Sequence, residues 1–192
     1  MKRLLILAMA MALVTPALAA ELGDDGLHKA VWMRDTFKDL REDLEEANAE
    51  GKRLVLLVEQ RGCVYCAKMH KEVFPRKELS SYIEDNFFVV QINLHGDTEI
   101  TDFDDEILSE KAATRKWGVL FTPTILFLPE DVPPNATAAE AAVAMQPGAF
   151  SLGTTLDMFT WVNEKRYLLD GEEDFQRYHA RRIRERNDGK TD

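Results

Sequence analysis

Cysteine is almost missing from this sequence. Only Cys63 and Cys66 occur in 192 residues, too few for a disulfide framework and too close together to staple distant elements. Positive charge is also scarce: 24 Lys and Arg stand against 34 Asp and Glu, a formal net charge of −10. That balance argues against nucleic acid or anionic lipid as a partner. Long apolar runs are limited to residues 4–14, which follow Lys2 and Arg3 and precede Ala17-Leu18-Ala19. The run is short for a membrane span, and its flanks are those of a secretory signal. Cleavage after Ala19 removes two positive charges and no acids. It leaves about 170 residues, enough for one sizeable core, with no membrane insertion of the mature chain.

The two cysteines that are present stand at the spacing of reversible dithiol chemistry, in Arg61-Gly62-Cys63-Val64-Tyr65-Cys66. The apolar run before them, residues 54–58, has the pattern of a strand buried on both faces. Residues 67–74 after them have helical spacing, with Cys66, Met69, Val73 and Phe74 on one side. A strand that ends in C-x-x-C and opens a helix places the first thiol at the helix N-terminus. Free N–H groups there favour thiolate, so Cys63 is the expected nucleophile and Cys66, one turn inside, the shielded resolving thiol. Covalent haem attachment is excluded because Ala67, not histidine, follows Cys66. A copper or zinc carrier site of Cys63, Cys66 and His70 is the rival chemistry. His70 is otherwise expected on a helix surface.

Elsewhere the pattern predicts one amphipathic helix over residues 22–50, with Trp32, Phe37, Leu40, Leu44 and Ala47 as its apolar positions. A short helix beginning at Lys77 and a buried strand over residues 87–94 follow. From Gly96 to Glu110 there are seven acids and no base, which predicts a solvated loop leading into a helix over 106–116. Asp97, Glu99, Asp102, Asp104 and Asp105 do not follow the order of a calcium loop. Thr122-Pro123 precedes a third strand, residues 124–128, where a proline cannot join the ladder and suits a cis bond. Residues 143–146 read as an antiparallel edge strand, and Ser151 or Thr155 as the cap of a last core helix. The sequon Asn135-Ala136-Thr137 sits in the insertion between them and is taken as accidental. The tail from Gly171 reads as a charged, solvated helix.

Residues 56–66 together with Trp117-Gly118-Val119-Leu120-Phe121-Thr122-Pro123-Thr124 resemble the thioredoxin superfamily, and more narrowly the exported SoxW-type thioredoxins associated with sulfur oxidation. The resemblance implies an α/β, three-layer sandwich whose central mixed sheet carries helices on both faces. It divides the chain into a signal peptide (1–19), an N-terminal helical segment (20–50), a thioredoxin-like domain (51–170) and a charged helical tail (171–192). It implies Cys63 as attacking and Cys66 as resolving thiol. Pro123 is then the cis-proline facing them, and Thr122 and Tyr65 border the bound client. The buried Asp that thioredoxins carry six positions before the first cysteine is Leu57 here. Glu59 keeps the same strand face and is the candidate proton relay, unless it simply reaches solvent. The implied activity is periplasmic reduction of a protein disulfide, linked to sulfur oxidation or cytochrome maturation. A membrane thiol carrier of the CcdA/DsbD kind supplies the electrons, and no metal or other cofactor is required. An oxidase or isomerase is the alternative within the same chemistry.

Overall fold

The computed structural model describes residues 21–169 and 174–189. The expected signal peptide and, in the expected tail, residues 171–173 and 190–192 lie outside the described residues. In chain order the elements are β1 (Glu21–Leu22), β2 (His28–Lys29), β3 (Met33–Arg34), α1 (Leu40–Ala49), β4 (Arg53–Glu59) and α2 (Val64–Lys68). A π-helical segment, Met69–Val73, continues α2. Then come α3 (Lys77–Asn86), β5 (Phe87–Asn93), β6 (Glu99–Thr101), β7 (Ile107–Ser109), α4 (Glu110–Lys116), β8 (Thr124–Phe127), α5 (Ala138–Ala141), β9 (Ala144–Pro147), α6 (Leu152–Asn163) and α7 (Phe175–Asp188). Among the described residues no helix is long and apolar enough to cross a membrane.

The central sheet has the order β3-β5-β4-β8-β9. The first three strands are parallel, and β8 and β9 run antiparallel to their neighbours. Every residue of β4 is buried, as a run without polar alternation requires of a strand covered on both faces. Its alternate side chains feed two cores. Leu54, Leu56 and Val58 pack with Leu40, Leu44 and Ala47 of α1 and with Ala113 and Trp117 at α4. Val55 and Leu57 pack with Met69, Val73, Leu79 and Ile83 and with Met158, Phe159 and Val162 of α6. The chain is therefore a three-layer sandwich of mixed sheet and helices, as the sequence implied. Truncating Leu56 to alanine at its fully buried position is expected to cost about 2–5 kcal/mol.

Three expectations fail, each for an identifiable reason. Residues 22–50 are not one helix. Asp24-Asp25-Gly26 makes a turn, with Gly26 at φ +74°, that folds β1 onto β2, the hairpin signal that the helical reading overlooked. β3 then joins the central sheet, and Phe37 points outward at 97% exposure. Lys38 at φ 60° breaks the chain just before α1. Asp39 caps that helix by accepting from the backbone N–H groups of Arg41 and Glu42.

The acidic stretch is not a solvated loop. It is the β6–β7 hairpin, and Asp102 at its turn is buried. Asp102 accepts from Trp117 Nε1 at 2.8 Å and from the Ala138 backbone at 2.9 Å. Lys116 meets Asp104 at 2.6 Å and Glu106 at 2.8 Å. Burial alone lowers the Lys116 pKa, but its hydrogen bonds to Asp104, Glu106 and Asp102 outweigh that and raise it. The charge of this stretch is met by Lys38, Arg41, Lys116 and the Trp117 indole, all outside it, so composition alone made it look unpaired. Helix α4 begins at Glu110, capped by Ser109.

The tail is not a solvated appendage either. Helix α7 docks on α6, with Tyr178 buried. Asp157 of α6 accepts from His179 Nδ1 at 2.6 Å and from both terminal nitrogens of Arg186 at 2.8 and 2.9 Å. Burial of Asp157 works to raise its pKa, but Arg186 and His179 overcome this and the net shift is downward. The arginines that suggested a solvated face include the ones that hold the helix down.

Candidate active site

Strand β4 delivers the chain to Glu59, and Gly62, at φ +72°, turns it into α2. Cys63 occupies the N-cap of that helix, where its Sγ accepts from the Cys66 backbone N–H at 3.0 Å. Cys63 and Cys66 are joined as a disulfide with their Cα atoms 5.2 Å apart. Cys63 is 8% exposed and Cys66 1%, so Cys63 is the more accessible of the two.

The Thr122–Pro123 peptide is cis and stands against this pair. The Thr122 hydroxyl donates to Cys63 Sγ at 3.3 Å, and the Thr122 carbonyl oxygen lies 3.5 Å from the same sulfur. In the disulfide that sulfur has no proton, so the carbonyl contact becomes a hydrogen bond only in the thiol form. The Pro123 carbonyl accepts from Gly148 N–H at 2.7 Å, which fastens the turn after β9 to the cis-proline. Val64, Tyr65, Leu120 and Phe121 form a largely exposed apolar group in the two segments that meet here. Clusters of this kind mark contact surfaces. Cys63, Cys66, Thr122, Pro123 and Tyr65, separated in sequence by up to sixty positions, thus belong to one locale.

Glu59 lies elsewhere. It is buried rather than reaching solvent, and both its carboxylate oxygens are 3.1 Å from His70 Nε2. Gln91 Nε2 donates to it at 2.7 Å. His70, expected at a helix surface, is equally buried because the helix carrying it turns this side toward the sheet with Met69 and Val73. Glu59 engages only Nε2 of His70, and Nδ1 has no hydrogen-bond partner. No group of three or more His, Cys, Asp or Glu residues among the described residues has the geometry to hold a metal ion.

Two participants of this network were missed in the sequence. His28 on β2 stacks on His70 with ring centroids 5.1 Å apart. Burial, and then the neighbouring His70, push its pKa down. Gln91 donates to the His28 carbonyl at 2.8 Å as well as to Glu59, and accepts from Lys29 Nζ at 2.6 Å. A glutamine inside the apolar run of β5 was the available signal, since a buried amide needs partners. Nothing local to His28 marked it.

Residues 40–135, half of the chain, match the sequence profile of the family described as a thioredoxin-like domain. None of the curated proteins matches the sequence. Among solved structures, a thioredoxin-fold protein from Helicobacter pylori is similar at 20% identity and a TM-score of 0.56, over 70% of this chain and 86% of that one. A thioredoxin from Thermus thermophilus shares 22% identity at a TM-score of 0.48, over 65% of this chain and 83% of that one. The C-terminal domain of DsbD from Neisseria meningitidis, in its oxidised form, shares 12% identity at a TM-score of 0.43, over 63% and 90%. The first of these carries the likeness in fold.

Proposed function

The chain belongs to the thioredoxin-like domain family, and from that premise we propose that it is an exported thiol:disulfide oxidoreductase that reduces a disulfide of a periplasmic client protein. The observation that carries the reading is the Cys63–Cys66 pair with Cys63 Sγ held against the carbonyl and hydroxyl of Thr122 at the cis-proline. In the reduced enzyme the Cys63 thiolate attacks one client sulfur, forming a mixed disulfide and expelling the other client sulfur as thiolate. Cys66 then attacks Cys63 Sγ. The Cys63–Cys66 bond forms, the bond to the client breaks, and the client leaves with two electrons from the dithiol.

Each part of the site has a task in this scheme. The helix N-terminus and the Thr122 hydroxyl both stabilise negative charge on Cys63. Thr122 and Pro123 border an extended client segment, and Tyr65 and Phe121 give it an apolar surface. Glu59 assists proton transfer in the resolving step from outside this locale. A membrane thiol carrier of the CcdA/DsbD kind returns the electrons, and a sulfur-oxidation or cytochrome-maturation protein is the client. Export rests on residues 1–19.

Insulin reduction with dithiothreitol as electron source tests the enzyme reading. Turnover is expected to vanish in Cys63→Ser, and unchanged turnover removes Cys63 as nucleophile. The oxidase or isomerase reading draws on the same Thr122 hydroxyl, because a donor to the thiolate stabilises the reduced form. A reduction potential near about −270 mV supports the reductase, and one near about −120 mV turns the assignment to an oxidase. A copper carrier requires stoichiometric metal that is lost on His70→Ala.

A further inference from the structure

Behind the dithiol the chain buries an acid–base pair and then builds a cover over it. Glu59 holds His70 through Nε2. With Glu59 ionised and the ring neutral, Nε2 is the donor and the lone pair sits on Nδ1. That Nδ1 is buried and has no hydrogen-bond partner. A buried polar atom without a partner is costly in a settled structure, and a base awaiting a proton is one account of it. His70 stands four residues after Cys66, so both lie on the same side of the helix, and both are nearly inaccessible to water. The resolving thiol of Cys66 must lose its proton in this shielded place, where burial disfavours thiolate.

The cover is the β1–β2 hairpin. The His28 ring lies on the His70 ring at 26° between planes. Gln91 ties the hairpin backbone and Glu59 together through one amide nitrogen. Lys29 Nζ reaches Gln91 Oε1 and Asp25 Oδ2, both at 2.6 Å. At the tip, Gly26 lies so close against Arg61 that an added Cβ would sit 2.5 Å from its Nε. The hairpin is thus fixed at three points around the pair, one of them two residues from Cys63.

We infer that His70 is the proton acceptor for the Cys66 thiol, that Glu59 and His28 are its positioning residues, and that the N-terminal hairpin keeps the pair dry. This rests on the dithiol reading above and names the group through which Glu59 acts. With a client joined to Cys63, the Cys66 proton passes to His70 Nδ1, directly or through one water. The Cys66 sulfur attacks Cys63 Sγ, the Cys63–client bond breaks, and the client thiolate leaves and takes up the proton. Glu59 on β4 stabilises the transient imidazolium. The other titratable or charged groups of this network are His28 on the ring, Lys29 and Asp25 linked through Gln91, Arg61 against Gly26, and Cys66 four residues before His70. Burial and His70 both oppose protonation of His28, which limits positive charge beside the imidazolium.

The test separates the two sulfurs in time. The reduced full-length protein is mixed with the chromogenic disulfide dithiobis(nitrobenzoate). Attack by Cys63 releases a first coloured thiolate, and resolution by Cys66 releases a second. His70→Gln is expected to keep the first release and to slow the second at least about tenfold near pH 7. The deficit should shrink as the pH approaches about 9, where a thiol ionises unaided. His28→Ala, which leaves His70 in place but uncovers it, is expected to shift the pH profile of the second release without touching the first. Retention of the first release in each variant shows that the dithiol is still folded. A second release in His70→Gln equal to wild type at every pH overturns the inference. A wild-type protein that gives no first release overturns the dithiol reading instead.

Discussion

Glu59 and Asp157 are both buried carboxylates, and both meet an imidazole nitrogen, at 3.1 Å and 2.6 Å. Their remaining partners differ. Asp157 is gripped by both terminal nitrogens of Arg186 and approached by Arg182 at 3.6 Å, and arginine does not release its proton. Among the described residues Glu59 has only the Gln91 amide besides its histidine. The first carboxylate is locked by fixed charge and serves to dock a helix. The second is left with a partner whose charge can change. Asp43 extends the series, with the Thr36 hydroxyl at 3.2 Å and no cationic partner among the described residues, and its pKa is raised to about 7. The nature of the partner, rather than the depth of burial, separates these three buried acids.

The largest expected effect is at the locked acid. Asp157→Ala should lower stability by about 2 kcal/mol, partly offset because Arg182 and Arg186 can reach water. Urea unfolding measures it, and faster proteolytic release of α7 should accompany it. The pH dependence has a definite sign. The Asp157 pKa is lower folded than unfolded, so its contribution is complete above the unfolded value and is lost as pH falls through the folded one. Acid should loosen α7 before the sheet, read from the fluorescence of Trp161, whose ring meets Phe175 at 6.1 Å.

Glu59→Gln comes next. It should leave unfolding midpoints nearly unchanged yet slow resolution of a mixed disulfide about tenfold, about 1.4 kcal/mol in activation free energy. A stability loss as large as that of Asp157→Ala, with resolution untouched, would erase the contrast between the two acids. Asp43→Asn tests the far end of the series. Because burial, and then Asp39, Glu46 and Glu42, raise the Asp43 pKa against the Thr36 hydrogen bond, the folded chain holds an extra proton between the unfolded and folded values. Stability therefore falls as pH rises across that window. The variant should match wild type near pH 4 and exceed it at pH 8 by on the order of 1 kcal/mol, measured by urea unfolding at both. The smallest effect is Thr122→Val, which removes the hydroxyl donor to Cys63 and should raise the thiol pKa by roughly 0.5 kcal/mol equivalent, read from alkylation rate against pH.

The sheet and the dithiol were readable because their signals are local. An apolar run such as residues 54–58, a C-x-x-C after it and a Thr-Pro before the next strand each declare themselves within a few residues. Helix α7 and the β6–β7 hairpin were misread because their charges find partners far away: Arg186 meets Asp157 twenty-nine positions back, and Asp102 meets Trp117 and Ala138. Composition records such charges as unpaired. The N-terminal hairpin failed differently. Trp32, Leu40, Leu44 and Ala47 do face cores, but Trp32 serves the opposite layer from the other three, so a pattern split between two faces passed for one helical stripe. Glu59 was singled out for its position, whereas His28, sixty-three residues from the glutamine that fixes it, carried no signal of its own.

The most direct measurement is to trap the client bond. Cys66→Ser, reduced and then offered oxidised insulin, is predicted to accumulate a covalent adduct through Cys63, identified by mass spectrometry and reversed by dithiothreitol, while Cys63→Ser accumulates none. An adduct that forms through Cys66 in the Cys63→Ser chain, with none through Cys63 in its counterpart, would contradict the account.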